Sequence, residues 1–314
     1  MSDLLSSGII VAMLAATLRI STPLILASFG ELVVQRSGIW NLGIEGTMLM
    51  GAFVAYTVAI ATGSLWLGAA AAIVAGAAMN MIMAVCGTTF KLNQFVVGLG
   101  MNLFAGGTTL FLYREAATAA GGETLPSLRT FDDVMLPGLS QIPYLGEIFF
   151  SQQLLTYFAF LMVPAVWFFL YHTRYGLEIR SLGENPKALD TKGMSVAKRQ
   201  YAALAFGGSM TGLAGAFLVL SLTDRFVPGM TGGRGWLAFV IIIAGRWKPW
   251  PILLVVLGFA ALEAFQLQAQ GVGVAIPYQV LLALPYVVAI IAMMTVRSSS
   301  SAQPEHLGVP YHRE

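Results

Sequence analysis

Seven runs of about 20 mostly apolar residues constrain this chain more than any motif, because a helix of that length spans roughly 30 Å of hydrocarbon. They lie at about 8–29, 66–87, 92–113, 151–172, 201–222, 250–268 and 273–295. An eighth run, 46–61, reaches span length only if its helix starts near Leu42. The segment 235–245 is too short to cross alone and follows Pro228-Gly-Met-Thr-Gly-Gly-Arg-Gly235, which is unsuited to regular helix. Irregular backbone at membrane depth survives only inside protein or against a water-filled cavity, so 226–245 reads as a broken crossing. The expected fold is an all-α polytopic membrane protein of about nine transmembrane helices, one of them broken. A single domain would cover 1–296, with a tail over 297–314.

Composition excludes the alternatives. Of 314 residues, 57% are hydrophobic and 10% charged, where soluble chains carry roughly 25% charge. That rules out a cytosolic enzyme, a disordered chain and a coiled coil. A net charge of +2 gives no reason to expect a nucleic-acid partner. Cys86 stands alone and His172, His306 and His312 are scattered, so neither a disulfide framework nor a metal site is expected. The N-terminus lacks the positive region of a cleaved signal, so the first apolar run is expected to be retained.

Basic residues orient the chain. Loop 173–200 holds Arg174, Arg180, Lys187, Lys192, Lys198 and Arg199, whereas loop 114–150 holds only Arg114 and Arg129 against five acids. The positive-inside rule places 173–200 in the cytoplasm and 114–150 outside. Arg36, Lys91, Arg246, Lys248, Arg297 and Arg313 then also fall inside, with Arg225 and Arg234 outside, the N-terminus out and the C-terminus in. Small residues four apart, Gly208 with Gly212, Thr211 with Gly215, and Gly68-Ala72-Gly76, predict close helix packing. Ser298–Ser301 is expected to open a mobile tail.

Three constellations carry polar chemistry. In the basic loop, Asn185 suits an N-cap, Pro186 the first helical position and Gly193 the stop, predicting a short helix over 186–192 with Lys187, Asp190 and Lys192 exposed. This is either a structured connector or a docking helix for a cytoplasmic motor subunit. At membrane depth, Asn93, Gln94 and Asn102 lie on one run, Asn80 on the run before, and Glu263 with Gln266 share a later helix face. Such groups either hydrogen-bond a polar, uncharged solute or join helices together. The third is Gly30–Gly46, read as an unusually hydrophobic loop in which Glu31 and Arg36 are candidates for an ion pair. Nucleotide-cradling, zinc-protease and nucleophile-elbow motifs are absent, so no catalytic residue and no metal ligand is assigned.

The string Gly30-Glu-Leu-Val-Val-Gln-Arg-Ser-Gly-Ile-Trp-Asn-Leu-Gly-Ile-Glu-Gly46 resembles a signature of ABC importer permeases of the ribose/branched-chain amino acid superfamily. Asn93–Leu103, Leu182–Asp190, Gly233–Trp247 and Leu262–Gln268 agree in order, and the likeness is greatest to the shorter permease type of the nucleoside and simple-sugar branch. The resemblance implies a type II-like fold in a bacterial cytoplasmic membrane, embedded in lipid and paired with a second homologous permease. It also implies an extracytoplasmic binding protein and a cytoplasmic ATPase that holds the ATP and Mg, so this chain itself binds no cofactor. Gly183, Glu184, Asn185, Pro186, Asp190 and Gly193 would form the coupling helix on that ATPase. Asn93, Gln94, Asn102, Glu263 and Gln266 would line a pathway for a nucleoside, with a simple sugar or purine derivative as the alternative. An ion-coupled carrier would have Glu263 as its only well-placed site.

Overall fold

Backbone groups out of reach of water must bond within their own segment, so each apolar run closes into helix. The computed structural model describes residues 7–119, 126–135, 137–271 and 302–312, with six isolated helical positions between 283 and 294. Seven helices among the described residues are long and apolar enough to cross a membrane. They are α1 (Ser7–Arg36), α2 (Ile44–Thr62), α3 (Leu65–Met83), α4 (Gln94–Ala119), α6 (Leu154–His172), α9 (Val196–Phe217) and α11 (Pro249–Gly271). Wider π turns prolong α3 to Thr89 and α9 to Leu222. Between them lie α5 (Leu145–Phe149), α7 (Arg174–Glu184), α8 (Pro186–Asp190) and α10 (Arg234–Ala244).

Several expectations change. The first span runs on to Arg36, so Glu31 and Arg36 are helical rather than part of a loop. α7 was not foreseen in the basic loop. The chain is not wholly helical either, because β1 (Asp133–Met135) and β2 (Ser151–Gln153) form a two-stranded antiparallel ribbon with Val134 opposite Gln152. The span expected at 273–295 lies outside the described residues apart from those isolated positions.

α1 is buried on every side from Ile20 to Gln35, as befits a helix apolar all round at the centre of the bundle. It packs with α2 and α9 around Leu24, Phe29, Met48, Phe217 and Leu220. Lipid is as apolar as leucine, so close contact and not water exclusion holds such helices together. The small-residue stripes supply that closeness. A methyl group added to Gly76 would overlap the Gly208 carbonyl, and one added to Gly212 would overlap that of Ala72. Gly215 meets the Met48 carbonyl of α2 in the same way.

Hydrogen bonds define the two ends of the bundle. At one, the far end, Leu128 N donates to the Asp224 carbonyl (2.5 Å) and Tyr56 Oη to that of Pro126 (2.6 Å). At the other, the basic end, Arg36 donates to the Trp247 carbonyl (2.7 Å). The segment 302–312 also lies there, with His306 N on the Gly183 carbonyl (2.8 Å) and Gly308 N on that of Gly38 (2.9 Å). This stretch of the tail is therefore seated on the basic loop, contrary to the mobile tail expected.

Candidate functional site

The basic loop folds as its residue types dictate. Thr173 Oγ1 caps α7 by accepting from Gly176 N (3.1 Å), and Asn185 Oδ1 caps α8 by accepting from Ala188 N (3.2 Å). Pro186 opens α8, which ends at Asp190, and Gly193 turns the chain with φ +76°. Pro186 and Leu189 face inward while Asn185, Lys187, Ala188, Thr191 and Lys192 are exposed. Asp190, expected on the exposed face, is half-buried and accepts from Tyr311 Oη at 3.0 Å. Gly183 lies so close to the Arg36 carbonyl that no side chain fits there. Glu184 pairs with Arg36 (3.7 Å) and accepts from Glu305 N (3.3 Å). A cavity of about 500 Å³ is lined by Glu184–Lys187, Glu305, His306 and Pro310–His312. Burial pushes the His306 imidazole below its ordinary pKa.

A second polar layer lies deeper, where residues 37–43 turn back into the bundle between α1 and α2. Glu31 and Arg36 do not pair. Glu31 accepts from Gln35 (3.2 Å) and Asn41 (3.1 Å), and Asn41 also donates to Asn80 (3.4 Å). Asn80 accepts from Thr47 (3.1 Å) and donates to the Leu204 carbonyl (3.1 Å). All these groups are buried, and each amide matches a donor to an acceptor, so the network pins the inward turn.

Of three residues expected along a solute pathway, one caps α4 and two hold this turn or its flank. Asn93 accepts from Phe95 N (3.0 Å) and caps α4. Gln94 accepts from Trp40 N (2.7 Å). Asn102, roughly 12 Å further along α4, accepts from Gly46 N (2.8 Å) and donates to the Leu42 carbonyl (2.9 Å). Gln266 is buried one turn beyond Glu263.

No sequence motif signals how α10 is anchored. Glu45 crosses to it, accepting from Thr231 Oγ1 (2.6 Å), Gly233 N (2.9 Å) and Gly235 N (2.8 Å), so a carboxylate sits on the positive helix start. Arg234, counted with an outer loop, instead opens α10 and pairs with Glu263. The other end of α10 leads to Trp247, whose Nε1 donates to Gln35 (2.7 Å). At eleven residues, roughly 16 Å, α10 has about half the length a crossing needs and ends at the basic end. It lies within the segment 226–245 read as a broken crossing. Midway along it, Phe239 stacks on Trp40 with ring centroids 5.8 Å apart.

Comparison with known proteins extends over most of the chain. The family described as "Branched-chain amino acid transport system / permease component" matches residues 13–296. The guanosine ABC transporter permease of Bacillus subtilis is 32% identical over 94% of this chain and 95% of its own. The nucleoside ABC transporter permease of Lactococcus lactis is 31% identical over 93% of both. A Haloferax volcanii protein provisionally named as a glucose ABC transporter permease is 38% identical over 84% of this chain and 79% of its own. No solved structure matches.

Proposed function

The chain belongs to the branched-chain amino acid transport permease family and is a multi-pass ABC permease subunit, not itself an enzyme; from that premise we propose that it imports a nucleoside. The observation that carries this reading is the near end-to-end similarity to permeases named for guanosine and nucleosides. In this proposal the chain sits in a bacterial cytoplasmic membrane with the basic end inside, as half of a type II-like pore of about nine crossings. A second, homologous permease supplies the other half, a binding protein delivers solute from outside, and a cytoplasmic ATPase hydrolyses Mg-ATP.

Gly183, Glu184, Asn185, Pro186, Asp190 and Gly193 form the coupling element. The capped α8 suits the role, since force passes through a rigid helix and not through a slack loop. Along the pathway we place Glu263 and Gln266 and add Arg234. The Arg234 and Glu263 side chains are 22% and 21% exposed at mid-depth. Ionised groups facing lipid there cost about 2.5–3.5 kcal/mol each, so this opening belongs toward a pore or partner. A guanidinium beside a carboxylate offers donors and acceptors to the vicinal hydroxyls of a ribose. Gln94 and Asn102 support the pathway by fixing the turn that holds α10, and Asn93 by capping α4.

Uptake into proteoliposomes containing both permeases, the ATPase and the binding protein tests the proposal, with labelled guanosine, adenosine, uridine, ribose and glucose. ATP-dependent uptake of nucleosides alone is expected. Sugar uptake without nucleoside uptake would keep the mechanism and reject the cargo. Transport that persists without ATP and follows an ion gradient would reject the ATP-driven mechanism.

A further inference from the structure

Residues 302–312 touch every element that links the coupling helix to the half-crossing α10. Tyr311 bonds Asp190 of α8 and packs with Leu182, Leu189 and Val196. Leu307 is buried in the main core, His306 N holds the Gly183 carbonyl and Lys91 Nζ lies 3.3 Å from His312 Nδ1. Gly308, with φ +83°, bonds Gly38 and lies flat against the Trp40 ring, where an added methyl would come within 3.1 Å. Trp40 in turn stacks on Phe239 of α10, and the same inward turn leads to Glu45 at the start of that helix. A continuous line of contacts therefore runs from α8 through the strap and Trp40 to α10, whose mid-depth end carries Arg234.

We propose that the C-terminal strap positions α8 against the inward turn, so that movement of the docked ATPase reaches α10 instead of being lost in the loop. The proposal rests on α8 being the coupling helix. It differs from a docking role, because the strap works on the inner side of α8 and leaves Lys187, Ala188, Thr191 and Lys192 exposed. The strap and α8 move as one body through the transport cycle.

A line of contacts becomes coupling only when perturbations along it fail to add. The test uses the complete reconstituted importer and reads ATPase co-purification and ATP hydrolysed per solute imported. Truncation after Ser301 is expected to keep ATPase binding within twofold and to raise ATP consumed per solute at least tenfold. Trp40→Ala should act in the same direction, and adding it to the truncation should produce no further rise. An unchanged ratio, multiplying effects or loss of ATPase binding on truncation would each overturn the proposal.

Should the truncated chain fail to insert, Asp190→Cys with Tyr311→Cys in a Cys86→Ser background provides a second test. Loss of the Tyr311–Asp190 bond should itself raise the ratio, and bridging the two cysteines with a short bis-maleimide should lower it again, since the two parts do not separate. Arrest of transport by the bridge would show that the strap must detach, and would overturn the proposal. Failure of the coupling-helix reading itself would be seen separately, as ATPase binding that survives charge reversal on the exposed face of α8.

Discussion

His306 illustrates how one side chain sets a condition on the strap. Its Nε2 is buried without a hydrogen-bond partner, and burial favours the neutral ring. The released strap takes up a proton at the ordinary imidazole value, whereas the seated strap resists it. Seating is therefore fully favoured above that value and weakens as pH falls through about 6.5. The protection factors of the non-proline amides in 305–312, taken relative to the intrinsic exchange rate at each pH, should fall between pH 7.5 and 5.5, and His306→Gln should remove most of that dependence; identical protection profiles for the two proteins would exclude the imidazole as the cause. Residue-level reading of the sequence was least secure where backbone conformation was misjudged. Glu31 and Arg36 are five apart, and on the continuous helix that separates them by about 140° around the axis. The ion pair imagined for a loop cannot form there, and Glu31 turns instead to Gln35 and Asn41.

Individual elements were more legible, because local chemistry decides them. Asn185, Pro186 and Gly193 announced α8 by capping rules alone. The glycine stripes announced close packing, though not which helices would meet. A methyl group at Gly212 already overlaps the Ala72 carbonyl, so Gly212→Leu should force α3 and α9 apart and cost about 1–3 kcal/mol or more. A fall in detergent melting temperature of several degrees checks this, with Gly100→Ala on open α4 surface as the neutral control. On α8 and the turn that follows it, Lys187→Glu with Lys192→Glu reverses the exposed charge and leaves the cap and both inward residues in place. ATPase co-purification should fall at least tenfold while the permease still inserts normally; undiminished capture would end the coupling assignment. What stayed hidden is the anchoring of α10, since Glu45 and Gly235 are joined only by tertiary folding.

Across the whole molecule, the positions of the ends determine how often the chain crosses. α11 starts beside Trp247 at the basic end and runs antiparallel to α1, with Ala260 and Ala264 packed on Ile20, so Gly271 reaches the far end. Residues 302–312 are back at the basic end, bonded to Gly38 and Gly183. The apolar run 273–295 between Gly271 and Ala302 has the length to span hydrocarbon, and the proposed count of about nine takes it as one more passage. On the proposed topology, with α10 completing a broken crossing, the loop 173–200 and the C-terminal strap would share one face of the membrane and Arg129 would lie on the other. Single cysteines at Lys192, Gln303 and Arg129, each in a Cys86→Ala background, make this measurable with an impermeant maleimide. In inside-out vesicles Lys192→Cys and Gln303→Cys should label and Arg129→Cys should not, and intact cells should reverse the pattern. If Gln303→Cys labelled together with Arg129→Cys, the contacts of the strap with Gly183 and Asp190 could not exist in the membrane. If all three reversed together, the crossing count would stand and the positive-inside orientation would be inverted, because charge sets the direction of insertion whereas packing sets which segments share a side.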